Sequence, residues 1–478
     1  MRRNILWNVL GVLLPMLAGL AAIPQLLERL GAERFGILSL GWMLVGYIGM
    51  LDLGLGRALT RAIAEQIGQD VPVARQFVLA RRATQIMVAI GIGWMLLIVA
   101  LIPWLVGDAI KIPADLHAQA RIGFFWLAGC APFMLYSNSR IALLEGRERF
   151  AHVNLVRIPT GVAYFLAPLG VAIYTHDLEW VLFSLLVVRI AASISLAMLV
   201  DARERVPTSS SCSQSDLRSL FHFGGWLTVS NVLGPMMTYL DRFYIGAILS
   251  VTAVAYYTVP YDAIVRLTSL PVAMMGALFP ALTNAHTVST ARLSHIVRTV
   301  TNLLLVAWFP GLLVAMLFAQ EILAWWVGPE MAWHSFRVWR WLVVGVFING
   351  FAHVPYNLLL SAGRSDLTAK FHFFELPVYV LMLIVGISVS GIEGVAIAWT
   401  SRVSLDTVLL FVAAIRLYPI QRRESYRALL FLASGTLLLL AALFFEDHLS
   451  EPVALSLFLL GVAGSVVAGA AFQIRKIA

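Results

Sequence analysis

The amino-acid sequence predicts an all-α polytopic membrane protein of about 14 transmembrane helices. Three observations carry that reading. Of 478 residues, 60% are hydrophobic and only 13% are charged, roughly half the charged share of a soluble domain. Apolar runs of about 20 residues, the length that crosses a hydrocarbon core, recur from end to end. The remaining charges are sorted by gap, basic in alternate gaps and acidic or nearly neutral between them.

The runs fall near residues 5–27, 36–64, 83–106, 122–144, 153–175, 180–200, 220–248, 253–284, 297–319, 339–360, 371–390, 393–415, 427–445 and 453–473. The first follows Arg2 and Arg3 and is longer than the 7–15 apolar residues of a typical signal-peptide core, so it reads as an uncleaved helix. One set of gaps holds Arg81 and Arg82, Arg147 and Arg149, Arg203 and Arg205, Arg364 and Lys370, and Arg422 and Arg423. The other holds Asp177 and Glu179, Glu321 and Glu330, and Glu446, Asp447 and Glu451, with Arg29, Arg34 and Arg337 as exceptions. Basic loops stay in the cytoplasm, which places both termini there. The net charge of +8 is therefore a topology signal, and nucleic acid is not an expected partner. Cys130 and Cys212 offer neither a metal cluster nor a disulfide pair.

The most polar stretch, Asp201 to Arg218, reads as a cytoplasmic linker. It divides an N-terminal lobe (1–200, six helices) from a linker (201–218), a C-terminal lobe (219–417, six helices) and a final helix pair (418–478). The halves echo each other: Asn8-Val-Leu-Gly11 recurs as Asn231-Val-Leu-Gly234, Gly146-Arg147 as Gly363-Arg364, and Arg157-Ile-Pro159 as Glu375-Leu-Pro377, with Arg189 and Arg402 late in the next helix. Parallel repeats of this kind imply lobes related by an axis along the membrane normal, with substrate held between them near the midplane.

Charge inside the apolar runs is the most informative functional signal, because each ionised side chain at a helix centre costs roughly 2.5–3.5 kcal/mol. Met50-Leu-Asp-Leu-Gly-Leu-Gly-Arg-Ala-Leu-Thr-Arg61 puts Asp52, Arg57 and Arg61 in or beside a spanning run. Asp262 with Arg266, and Arg402 with Asp406, stand four apart and can pair along a helix face. Arg57, Arg140 and Arg189 have no carboxylate nearby in sequence. An excess of arginine suits an anionic ligand, because guanidinium matches phosphate bidentately; snorkelling to the interface is the plainer reading for Arg57, Arg61 and Arg140. Asn349, His353 and Asn357 form a polar stripe that either bonds between helices or contacts sugar hydroxyls. Glu375 reads as a proton site or ion-pair partner near a helix end, and Trp325, Trp326, Trp333, Trp339 and Trp341 as an interfacial belt. No nucleotide-binding loop, zinc spacing or nucleophile elbow is present, so neither a cofactor nor a metal is expected.

Together these motifs resemble the Wzx-type O-antigen and oligosaccharide flippases of the polysaccharide-transporter family, within the superfamily that contains the multidrug extruders. The resemblance rests on Leu51-Asp-Leu-Gly-Leu-Gly-Arg57, Leu144-Glu-Gly-Arg-Glu-Arg-Phe150, Tyr239-Leu-Asp-Arg-Phe-Tyr-Ile-Gly246, Ala255-Tyr-Tyr-Thr-Val-Pro-Tyr261 and Glu375-Leu-Pro-Val-Tyr379. It implies an extruder-like fold in a bacterial inner membrane. The implied cargo is an undecaprenyl-diphosphate-linked oligosaccharide, moved from the cytoplasmic to the periplasmic leaflet by alternating access. A polysaccharide polymerase and a chain-length regulator are implied partners, and a proton or sodium gradient an implied drive. The resemblance does not fix the site residues; their place inside apolar runs makes Arg57, Arg189, Arg266 and Arg402, with the stripe Asn349, His353 and Asn357, the expected substrate contacts. Asp52, Asp262, Glu375 and Asp406 are the expected coupling or counter-charge residues. An ion-coupled multidrug extruder on the same fold, or a membrane-embedded glycosyltransferase or polymerase, are the alternatives.

Overall fold

The computed structural model describes residues 2–50, 52–201, 239–275, 290–361, 364–418 and 422–445, with a few isolated positions between them. The described residues form helices joined by short turns, and eight helical stretches among them are long and apolar enough to cross a membrane. The protein is a multi-pass membrane protein. The polar linker expected at 201–218 lies almost wholly outside the described residues, as does most of the fourteenth run.

Backbone contacts divide the chain into two compact units, Met1–Ala255 and Tyr256–Ala478. In the first, α1 (Arg2–Ile48) is followed by α2 (Leu55–Gly68), α3 (Val73–Trp104), α4 (His117–Ala128), α5 (Cys130–Gly146), α6 (Phe150–Ala172), α7 (Leu178–Asp201) and α8 (residues 239–248). Helix α1 packs on α6, α3 on α5, and α7 on α4, α5 and α6. Its core is aromatic where α1 meets α6: Trp42 lies edge-on to Phe35 and Phe165, with ring centroids 5.9 and 5.3 Å apart.

The first expected span, 5–27, forms as the first part of α1, which changes direction at Gly31 inside the expected gap; its φ of 74° is open to glycine at little cost. The second run, 36–64, is broken between Ile48 and Leu55 by a turn in which Leu53 (φ 54°) and Gly54 (φ 69°) are left-handed. Asp52 therefore stands in a turn and not on a helix. A hydropathy sum does not register this break, because the turn residues Leu53 and Gly54 are themselves apolar or neutral.

The second unit holds α9 (Val251–Val265, starting at the boundary), α10 (residues 269–275), α11 (Thr290–Leu303), α12 (Phe309–Leu317), α13 (Ala319–Val327), α14 (Pro329–Ser361), α15 (Ser365–Leu417) and α16 (Arg422–Phe445). Helix α14 is its axis, packing on α15, α13, α12 and α16. Gly350 on that axis leaves the space the Trp308 indole fills, and the Phe347 ring lies tilted between Phe309 and Phe351. A wide helical turn at Leu304–Trp308 precedes Pro310, which has no N–H to continue the ladder. Helix α15 is a hairpin of two legs reversed at Ser390 and Gly391 (φ 57°). The legs touch backbone to backbone at Gly386 and Gly394, where a Cβ on either would collide with the other. Small residues allow this closeness in membrane helices.

Candidate functional site

In the first unit α5, α6 and α7 enclose a cavity of about 360 Å³ whose polar lining is Ser137, Asn138, Arg157, Thr160, Tyr164 and Arg189. Each comes from an otherwise apolar helix. Tyr164 is fixed because its hydroxyl donates to the Trp42 carbonyl at 3.0 Å. The Arg189 guanidinium lies over the Tyr164 ring, 5.2 Å from its centroid. That contact is worth about 0.5–1 kcal/mol at an exposed site and more when desolvated. The Arg189 Nε–H is buried and makes no hydrogen bond among the described residues, which leaves a donor to spare. Asn138 donates to the Gly49 carbonyl at 2.8 Å and Ser137 shares a hydrogen bond with Ser193 at 2.9 Å. Arg157, half exposed, pairs with Glu145 at 3.1 Å.

The charged stretch in the latter half of the second expected span resolves into separate roles. Asp52 accepts the backbone N–H groups of Gly54 and Gly56 at 3.0 and 3.1 Å, satisfying donors at the start of α2 that have no helical partner. Arg57 and Arg61 lie on the exposed face of α2, and Arg61 pairs with Glu65 at 2.6 Å. Among these three, Arg57 neither caps a helix nor pairs with a carboxylate among the described residues. Arg140 is half-buried over the Tyr136 ring at 5.0 Å.

The second unit repeats the arginine-on-tyrosine device and changes its surroundings. Arg402, on the second leg of α15, lies 5.4 Å from the Tyr379 centroid on the first leg. Its Nη1 is 3.9 Å from Oε2 of Glu375, which is fully buried. The sequence placed Glu375 near a helix end, whereas α15 begins at Ser365, so Glu375 sits about 15 Å along the leg at 1.5 Å per residue. His372 and Asp406 join it: one ligand-type atom from each of the three lies within 4.8 Å of the others. His372 was missed in the sequence. The one signal for it is the spacing of three to Glu375, which puts both on one helix face.

The remaining expected residues are dispersed through the second unit. Asp262 is half-buried on α9, and Arg266 opens the tight turn that ends that helix. On α14 Asn349, His353 and Asn357 are all half-buried, and Asn357 donates to the His353 carbonyl at 2.8 Å. This spends one of the stripe's donors within its own helix. The tryptophans divide: Trp325 and Trp333 are exposed, while Trp339 donates to the Ala315 carbonyl at 2.7 Å and Trp341 to Glu393 at 3.1 Å. Asp241 and Arg242 of α8, within the Tyr239–Gly246 motif, are buried. Asp241 accepts the Arg242 backbone N–H at 2.7 Å.

Two units of apolar helices, each with an arginine stacked inside, define a polytopic membrane protein of the transporter type. The chain belongs to the polysaccharide biosynthesis protein family, whose model matches residues 1–286. It is 30% identical over 414 residues to the "Putative O-antigen transporter" of Shigella flexneri, covering 85% of this chain and 96% of that one. It is 23% identical over 196 residues to the lipopolysaccharide biosynthesis protein WzxC of Escherichia coli, covering 41% and 39%. Among solved structures, an inward-facing multidrug-resistance transporter of the MATE family superposes with a TM-score of 0.70 at 14% identity, covering 87% of this chain and 99% of that chain. The lipid II flippase MurJ in an inward closed conformation gives 0.69 at 11% identity, covering 99% and 98%. At these identities the two structures establish the fold alone.

Proposed function

We propose that the chain is a flippase for a lipid-linked oligosaccharide, moving an undecaprenyl-diphosphate-linked O-antigen or exopolysaccharide repeat unit from the cytoplasmic to the periplasmic leaflet by alternating access. The observation that carries this reading is Arg189: a guanidinium held on Tyr164 inside a cavity, with a buried donor unspent. A diphosphate is the natural acceptor, because it takes the planar fork bidentately. Ser137, Asn138 and Thr160 on the same wall offer the hydroxyl and amide groups that bond sugar hydroxyls. The volume falls within the range of about 300–1,000 Å³ typical of small-ligand sites. A headgroup enters such a cavity while its prenyl tail stays in lipid, and no bond need form or break. Likeness to an O-antigen transporter over nearly its whole length supports the same substrate class.

The test is a leaflet assay. Deleting the gene leaves lipid-linked repeat units on the cytoplasmic leaflet, and purified protein in proteoliposomes exposes undecaprenyl-diphosphate-linked oligosaccharide to a membrane-impermeant glycosidase. Repeat units that still reach the periplasm in a strain with no second flippase would overturn the proposal.

A further inference from the structure

We propose that His372, Glu375 and Asp406 form a binding site for one divalent first-row metal cation, of the zinc or manganese type, bridging the two legs of α15. The donor set is the first argument. One imidazole nitrogen and two carboxylate oxygens, all within 4.8 Å of one another, are the groups that bind such ions in sites with three protein ligands. Three donors sharing an ion at about 2.0–2.2 Å in tetrahedral geometry stand about 3.3–3.6 Å apart, so the three atoms must draw together by at most about 1.5 Å, which side-chain rotation can supply.

The second argument is the state of Glu375. Its side chain has no solvent exposure, and among the described residues no amide, hydroxyl or guanidinium donor bonds either carboxylate oxygen. A buried carboxylate in that condition is costly unless something positive completes it. Arg402, 3.9 Å from Oε2, is too distant for a hydrogen bond. It is suited instead to hold the non-ligating oxygen, as outer partners of metal-bound carboxylates do. Two carboxylates alone would be served by a shared proton. The imidazole as a third convergent donor is what favours a metal ion.

The geometry also sets what the ion would do. His372 and Glu375 lie on the first leg of the hairpin and Asp406 on the second, and both His372 and Asp406 are partly open, which leaves a way in. An ion there ties the legs together beyond their glycine contact at Gly386 and Gly394. The inference goes beyond the transport reading and needs no substrate to be tested.

The experiment uses the full-length, untagged protein in detergent, stripped of metal and titrated with Co²⁺ by visible absorption and with Zn²⁺ by calorimetry. We expect one ion per chain, Zn²⁺ displacing Co²⁺, and at least a tenfold weaker affinity in each of His372→Ala, Glu375→Gln and Asp406→Asn. Ser404→Ala, on the same leg, should bind as the parent does. X-ray absorption of the Zn²⁺-loaded parent should give an oxygen-rich shell with a single imidazole, a result that does not depend on any variant folding. No saturable binding, binding kept in all three variants, a shell with sulfur or several imidazoles, or proton uptake by the trio that no metal competes with would overturn the proposal.

Discussion

Replacing Arg189 by glutamine removes the positive charge from the cavity of the first unit and keeps a polar side chain of moderate size. Two losses follow. The cation–π contact with Tyr164, at 5.2 Å, is worth about 0.5–1 kcal/mol, which should appear as a small fall in thermal stability. The unspent Nε–H and its guanidinium fork lose a charge-assisted contact with phosphate worth about 1.5–3 kcal/mol. At about 1.4 kcal/mol per tenfold, apparent affinity for the lipid diphosphate should fall about 10–100-fold. The assay is leaflet exposure in proteoliposomes against substrate concentration, with melting followed in detergent. Arg189→Lys keeps the charge without the fork and should fall between. Tyr164→Phe loses the hydrogen bond to the Trp42 carbonyl while keeping the ring, and should alter melting more than transport. Arg189→Gln protein with the parent's concentration dependence would refute the reasoning; so would Tyr164→Phe as damaging to transport as the loss of charge.

Three further outcomes are expected from the packing. Asp52→Ala strips the acceptor from two backbone N–H groups at the start of α2 and should cost about 1–2 kcal/mol, whereas Asp52→Asn keeps one acceptor and most of the stability. Equal melting of the two variants would show that charge, not capping, is what Asp52 supplies. Gly350→Ala drives a methyl into the Trp308 indole and should destabilise by about 1–3 kcal/mol; adding Trp308→Phe should recover part of it, and a lone Gly350→Ala that melts like the parent would refute the packing. Gly386→Val separates the legs of α15 at their backbone contact, which should raise protease sensitivity at the Ser390–Gly391 turn while leaving cleavage within the first unit unchanged.

How much was legible in the sequence differs by feature. Membrane class, spanning runs and the presence of charge inside them were readable, because the cost of polar groups in hydrocarbon acts locally and leaves a composition that can be summed along the chain. The likeness of Arg189 and Arg402 was readable too, as an ordered pair of short matches. Where helices break was readable in part. Gly31 and Gly391 turn the chain inside the expected gaps at 28–35 and 391–392, whereas Leu53 with Gly54 turns it inside an expected run, through backbone angles that cost one or two residues and leave hydropathy untouched. The job of Asp52 was not readable, because capping depends on a turn only the backbone defines.

Only the tertiary structure could decide which charges meet. The rotation of α6 against α7 places Tyr164 beneath Arg189. The antiparallel return of α15 brings Asp406 to His372 and Glu375, which lie 34 and 31 residues before it in the chain. The sequence determined that these side chains must be sheltered from lipid, because an isolated charge in hydrocarbon is too costly to leave exposed. Which neighbour shelters each one depends on helix rotation and crossing, and these are set by the fit of apolar surfaces and glycine contacts far along the chain from the charges themselves.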